Sequence, residues 1–180
     1  MIRITGGEFR GRKIKSPPGY FSRPTIDRVR KALFDILQSS IPGSCFLDLY
    51  SGVGLVGIEA LSRGAARVIF VEKDERLVFL LKENLSLLGV KEKAVVLKGA
   101  VNSFLGQTLN FNPDIIFLDP PYERDEVNKF LEGLGSFNLK HGFLIAAQHS
   151  IKEKVLDRIE GLIRVKQEQY GETALSFFRS

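Results

Sequence analysis

The sequence predicts an α/β protein with a doubly wound, mostly parallel seven-stranded sheet and an antiparallel C-terminal strand. Three observations predict it. From residue 44 onward, short β-branched or aromatic runs alternate with longer stretches of helical period. The runs are continuously apolar and not alternating, as strands covered on both faces are. A glycine-rich turn, Gly52-Val53-Gly54-Leu55-Val56-Gly57, joins the first run to the first helical stretch, where such folds hold ligands.

Element by element, residues 2–4 and 12–15 flank Gly6, Gly7 and Gly11 and predict a small β-hairpin. Ser16-Pro17-Pro18-Gly19 breaks the chain. Thr25 is then placed to cap a helix over 26–37, with Val29, Leu33, Phe34 and Leu37 inward. Strands are expected at 45–50, 67–72, 94–98, 114–118 and 142–148, and helices at 55–63, 74–88, 100–105 and 126–134. Gly64 and Gly89 stop two of the helices. On the second of these, Leu77, Leu80, Leu81, Leu85 and Leu88 share a face. A further helix is expected near 152–159. The extended stretches 162–169 and 173–179, joined through Tyr170-Gly171-Glu172, read as an antiparallel pair closing one edge. Phe70, Phe79, Phe104, Phe117 and Phe143 are expected in the core.

At 180 residues, 44% apolar and 26% charged, the chain has the makings of one globular unit. Its one cysteine, Cys45, excludes a disulfide scaffold and reads as a core residue. No apolar run approaches the ~18 residues of a membrane span. The first residues lack an apolar export signal, which with a lone cysteine fits the reducing cytoplasm. His141 and His149 read as surface or edge residues with no cysteine or acidic cluster at ligand spacing, so no metal site is expected. The net charge of +5 is unevenly placed: residues 1–40 hold nine Lys/Arg against three acids, and residues 41–180 are nearly neutral. This divides the chain into a basic N-terminal extension (1–40) and a sheet domain (41–180), and the charge alone fits either a polyanion met by the extension or a solvated, solubilising surface.

Gly52, Gly54 and Gly57 match G-x-G-x-x-G, and Glu72 follows Gly52 by twenty residues at the end of the next strand. That pattern fits a nucleoside cofactor whose ribose hydroxyls meet the acid. Asp48, at the mouth of the loop, decides between cofactors. A carboxylate there would repel a pyrophosphate but suits a ligand carrying an ammonium and a sulfonium. The loop therefore favours S-adenosylmethionine over NAD, with a helix or turn cap as the alternative role for Asp48. By topology, Gly99-Ala100-Val101 lies along the adenine.

The run Ile115-Ile-Phe-Leu118 ends in Asp119-Pro120-Pro121-Tyr122. Two prolines stop both strand and helix and force a rigid corner. It presents the Asp119 carboxylate, the Pro120 carbonyl and the Tyr122 ring. Two acceptors and an aromatic face suit a planar group bearing an amine. Holding both N–H bonds would aim the nitrogen lone pair at an incoming methyl.

This corner resembles the signature of amino-methyltransferases in the Rossmann-like class I S-adenosylmethionine-dependent group. The chain as a whole resembles the bacterial RsmD family. The resemblance rests on Arg3-Ile-Thr-Gly-Gly7, Arg10-Gly-Arg12, Arg23-Pro-Thr-Ile-Asp-Arg-Val-Arg30 and Leu33-Phe34. It rests also on Leu47-Asp-Leu-Tyr-Ser-Gly52-Val-Gly54, Glu59-Ala-Leu-Ser-Arg-Gly64 and Asp119-Pro-Pro-Tyr122. Gly99 departs from it, standing where a polar side chain is expected and offering backbone alone. The resemblance implies methylation of a guanine N2, guanine 966 of small-subunit ribosomal RNA. Catalysis is then expected of Asp119, Pro120 and Tyr122. Cofactor contacts are expected of Asp48, Ser51, Gly52, Gly54, Glu72, Lys73, Gly99, Ala100 and Asp119. Arg10, Arg12, Lys13, Arg23, Arg28 and Arg30 are expected on the RNA, a ribosomal RNA or an assembling small subunit met by a monomer. The alternatives are transfer to an adenine N6 or a protein glutamine amide, an NAD-dependent oxidoreductase, and an RNA-binding module with a vestigial cofactor fold.

Overall fold

The computed structural model describes residues 1–18, 24–122, 124–135, 137, 142–159 and 161–179. A two-stranded hairpin, β1 (Ile2–Arg3) with β2 (Lys13–Ile14), precedes helix α1 (Pro24–Leu37). The main sheet then builds from β3 (Cys45–Leu49), β4 (Arg67–Glu72), β5 (Ala94–Lys98), β6 (Ile115–Leu118) and β7 (Leu144–Ser150), which all run parallel. Helices α2 (Leu55–Ser62), α3 (Glu75–Leu88), α4 (Val101–Leu109) and α5 (Glu126–Gly135) alternate with them. β8 (Arg158–Ile159), β9 (Leu162–Tyr170) and β10 (Thr173–Arg179) complete the order β5-β4-β3-β6-β7-β10-β9-β8, with β10 antiparallel to both neighbours. The sheet thus has seven longer strands, as expected, and gains a two-residue edge strand.

Strand residues alternate between two apolar layers although neither face is wet. Phe46, Val68, Phe70, Ile115 and Phe117 pack with α1, α2 and α3 on one side. Leu47, Ile69, Val71, Ile116 and Leu118 pack with α4 and α5 on the other. Val29, Leu33, Phe34 and Leu37 of α1 are all buried, as its period predicts. Ile2, Ile4, Phe9 and Ile14 of the hairpin join the same layer, so the basic extension shares the core of the sheet domain.

Four local expectations are corrected. Helix α1 begins at Pro24, so Thr25 lies within it and not at its cap; proline suits a first helical position. The stretch 152–159 is not a helix. Its backbone is engaged by the buried Asn128, whose Nδ2 donates to the Lys154 carbonyl (2.9 Å) while its Oδ1 accepts from Leu156 N (3.1 Å). Phe79 is 62% exposed, because α3 buries Val78, Leu81, Asn84, Leu85 and Leu88 and turns position 79 outward. His149, read as an edge residue, is buried, its ring nitrogens 2.9 Å from the Ser150 carbonyl and from Ser176 Oγ. His141 lies outside the described residues. Cys45 opens β3 half-buried, its thiol donating to the Phe111 carbonyl.

Among the described residues, no helix is long and apolar enough to cross a membrane. No cluster of His, Cys, Asp or Glu among them is fit to hold a metal.

Candidate active site

The carboxyl ends of the parallel strands converge on a cavity of about 580 Å³. Tyr50 and Gly52 after β3, Glu72 and Lys73 at β4, Gly99 and Ala100 after β5, the 119–122 corner after β6, and Gln148 in β7 all line it. This is the crevice where a doubly wound sheet takes its ligand.

The loop after β3 is held from below. Asp48, 1% exposed, accepts a hydrogen bond from Gly57 N at 2.8 Å, so its carboxyl caps the first turn of α2. Gly57 must be glycine: a Cβ there would stand 2.3 Å from the Phe70 ring and 2.9 Å from Asp48 Oδ2. Gly54 caps α2 with φ +83°, and its missing Cβ makes room for Leu81. The Ser51 hydroxyl donates to the Asp48 carbonyl (2.6 Å) and accepts from Val71 N (3.0 Å), tying β3 to β4. Asp48, Ser51 and Gly54 therefore support the loop from positions that do not border the cavity. Of the expected cofactor contacts, Gly52, Glu72, Lys73, Gly99, Ala100 and Asp119 do border it.

Glu72, 8% exposed, is fixed at both oxygens: Oε2 accepts from Gly52 N and Oε1 from Asp74 N, each at 2.8 Å. Burial above all, with the nearby Asp119 and Glu72 carboxyls adding to it and the Gly57 bond opposing, pushes the Asp48 carboxyl up to about 8. The Glu72 and Asp119 carboxyls thus border the cavity, with Asp48 beneath the loop close enough to feel both. Such a site attracts a cation and resists a pyrophosphate.

At the corner, Pro120 is buried and Tyr122 is 40% exposed. Burial pushes the Asp119 carboxyl up to about 7, partly offset by a hydrogen bond from Gln148. Gln148 Nε2 donates to Asp119 Oδ1 (3.0 Å) and to the Tyr122 hydroxyl (3.2 Å). The Tyr122 hydroxyl also lies 3.5 Å from Thr173 Oγ1. Tyr50 and Glu126 form the opposite wall, with the phenol 3.4 Å from Glu126 Oε2. Burial and Glu126 push that phenol up to about 12.

Gln148, Thr173, Tyr50 and Glu126 escaped the sequence reading. A signal existed for Gln148, a polar residue directly after the apolar run of β7. Ala147 of that strand pairs with Leu118, the last residue of β6, so Gln148 falls beside Asp119.

The basic segment divides. Arg10, Arg12, Lys13 and Arg28 are exposed. Arg12 also donates to the Leu87 carbonyl (2.7 Å) and lies over the Phe9 ring. Arg30 is corrected: it is 3% exposed, with Nε 3.1 Å from the wholly buried Glu59 and Nη2 donating to the Arg3 carbonyl. Arg63 pairs with the same carboxylate at 2.8 Å, and the Thr5 hydroxyl donates to it as well. A guanidinium so enclosed is a structural cation with no face left for RNA. Arg23 lies outside the described residues.

A parallel sheet with an inserted antiparallel β10, a glycine loop after its first strand and an acid ending the next define a class I methyltransferase. The match to known proteins narrows this. Residues 2–179 fit a family model described as Conserved hypothetical protein 95. Ribosomal RNA small subunit methyltransferase D of Haemophilus influenzae is 37% identical over 94% of this chain and 89% of its own. Its Escherichia coli (strain K12) counterpart is 41% identical over 75% of this chain and 69% of its own. The solved structure of yhhF from Escherichia coli superposes with a TM-score of 0.83 at 32% identity, covering 99% of this chain and 97% of that one. The chain belongs to this family, the RsmD methyltransferases.

Proposed function

We propose that the protein methylates ribosomal RNA with S-adenosylmethionine, and that the acceptor is the exocyclic N2 amine of a guanine, guanine 966 of the small-subunit RNA. One observation carries the chemistry. Asp119, Pro120 and Tyr122 border the same cavity as Gly52 and Glu72, so amine and methyl donor share one chamber.

The residues present fit the cofactor. Glu72, oriented by two backbone donors, offers its remaining lone pairs to a ribose diol. Gly52 and Ala100 leave room beside it, and the surrounding carboxyls suit positive charge. When bound, S-adenosylmethionine supplies a methyl group on a sulfonium, so the protein needs no acid to activate it. Asp119 and the Pro120 carbonyl accept the two amine N–H bonds and direct the nitrogen lone pair away from the ring. Tyr122 stacks on the base, which must leave its helix to arrive there. With its carboxyl near 7, Asp119 is matched to taking the proton released at the nitrogen. Arg10, Arg12, Lys13 and Arg28 hold phosphates.

The test is transfer of labelled methyl to small-subunit RNA or assembling subunits, followed by nucleoside analysis. N2-methylguanosine at one nucleotide is expected. Label in a methyladenosine or in protein overturns the guanine assignment.

A further inference from the structure

Gln148 has a second capacity that its support of the corner leaves unused. Both hydrogens of its amide are engaged, one by Asp119 Oδ1 and one by the Tyr122 hydroxyl. With Asp119 ionised, as it must be to take up a proton from the amine, only the amide nitrogen can donate to it, which fixes which end is which. The side-chain hydrogen bonds of Gln148 among the described residues both run from Nε2, leaving the carbonyl Oε1 of the same small planar group without a donor there, and Gln148 lines the cavity. An acceptor therefore stands beside the place where the amine is held.

Nucleobases differ in what adjoins their amine. In guanine the N2 amine is flanked by N1–H, a donor, and by N3, an acceptor, so a base held by its N1 edge presents the donor. In adenine the N6 amine has N1 and N7 beside it, both acceptors. In cytosine the N4 amine is next to N3, again an acceptor. An acceptor alongside the amine site is satisfied by guanine and faces a lone pair with either of the others.

We propose that Gln148 is the base-selecting residue of this site, its Oε1 accepting N1–H of guanine while its Nε2 holds Asp119 and Tyr122 in place. This rests on the reading that a nucleobase amine receives the methyl. One side chain would then couple recognition to reaction, because an amide turned to suit another base withdraws its bond from Asp119.

The experiment uses small subunits reconstituted from ligated RNA with guanine or 2-aminopurine at the methylated nucleotide. Both bases carry the amine at C2, but 2-aminopurine has a bare N1. The wild-type protein should favour guanine in kcat/KM by about tenfold to a hundredfold, the cost of leaving one buried polar group unpaired. Gln148→Met should slow transfer to both and bring the ratio close to one. Loss of corner support alone would slow both bases equally and keep the ratio, and so would discrimination exerted at the guanine O6. A ratio retained in the variant therefore overturns the proposal, as does a wild-type protein that uses both bases alike. Gln148→Asn, which keeps an amide but withdraws it by one methylene, gives the same reading should the methionine variant not fold. Failure of the wild-type protein to methylate the guanine subunits would instead overturn the function proposed above.

Discussion

Two loops meet at the cavity, and they are built in opposite ways. The loop after β3 is braced from beneath by groups that never touch the cavity: the Asp48 carboxyl on Gly57 N, and the Ser51 hydroxyl between β3 and β4. The corner after β6 leans on side chains that themselves line the cavity, the Gln148 amide and the Thr173 hydroxyl, and leaves Tyr122 40% exposed. On the function proposed above, the first construction serves the methyl donor and the second a base that must arrive, be held for one reaction and leave. Damage to the first should therefore appear in stability and damage to the second in turnover.

The largest expected effect breaks the corner without touching the loop. Asp119→Ala should lower kcat by about a hundredfold or more, the scale of a misplaced reacting group, while calorimetry finds cofactor binding little changed. Comparable losses in both would mean that the two loops are one unit.

The next effect belongs to the loop and shows in pH. A carboxyl raised to about 8 when folded lends stability that is complete below pH ~4 and is lost as pH rises through about 8. Denaturant unfolding of the cofactor-free wild-type protein should therefore weaken across that window. Asp48→Asn, which still offers an oxygen to Gly57 N, should flatten the dependence. An unaltered pH profile would show that Asp48 is not the group responsible.

The smallest effect lies outside both loops. Arg10→Ala should leave kcat unchanged and reduce the salt dependence of RNA affinity by ~0.7–0.9 in log–log slope, the worth of one phosphate contact. A fall in kcat would bring the basic segment into the chemistry.

What could be read in advance follows from the range of the signals. Strands β4, β5 and β10 fall on the expected residues because their apolar runs and flanking turns are local. So does the C-cap of α3 at Gly89, with φ +73°. The stretch 152–159 escaped because its backbone partner, Asn128, is more than twenty residues away and polar, outside any periodicity. Asp119, Pro120 and Tyr122 were legible because two prolines announce a corner in any context. Gln148 was not, since its meaning depends on which strand lies beside β7. Arg30 misled for a related reason. In sequence it is one cation in a basic stretch, and only Glu59, from a helix across the fold, shows it to be enclosed.

That enclosed carboxylate also sets an order of events. Glu59 gathers Arg30 from α1, Arg63 from its own helix and Thr5 from the hairpin, and Ser62 receives Phe9 N while its hydroxyl donates to the Gly6 carbonyl. The hairpin and α1 residues thus have no place to settle until the ribosome has released the sixties. Hairpin and α1 must wait, with their apolar faces uncovered, for a seat that does not yet exist. The part of the chain proposed to grip RNA is synthesised before its seat, and it takes its working shape only once the first sheet strand and α2 are out.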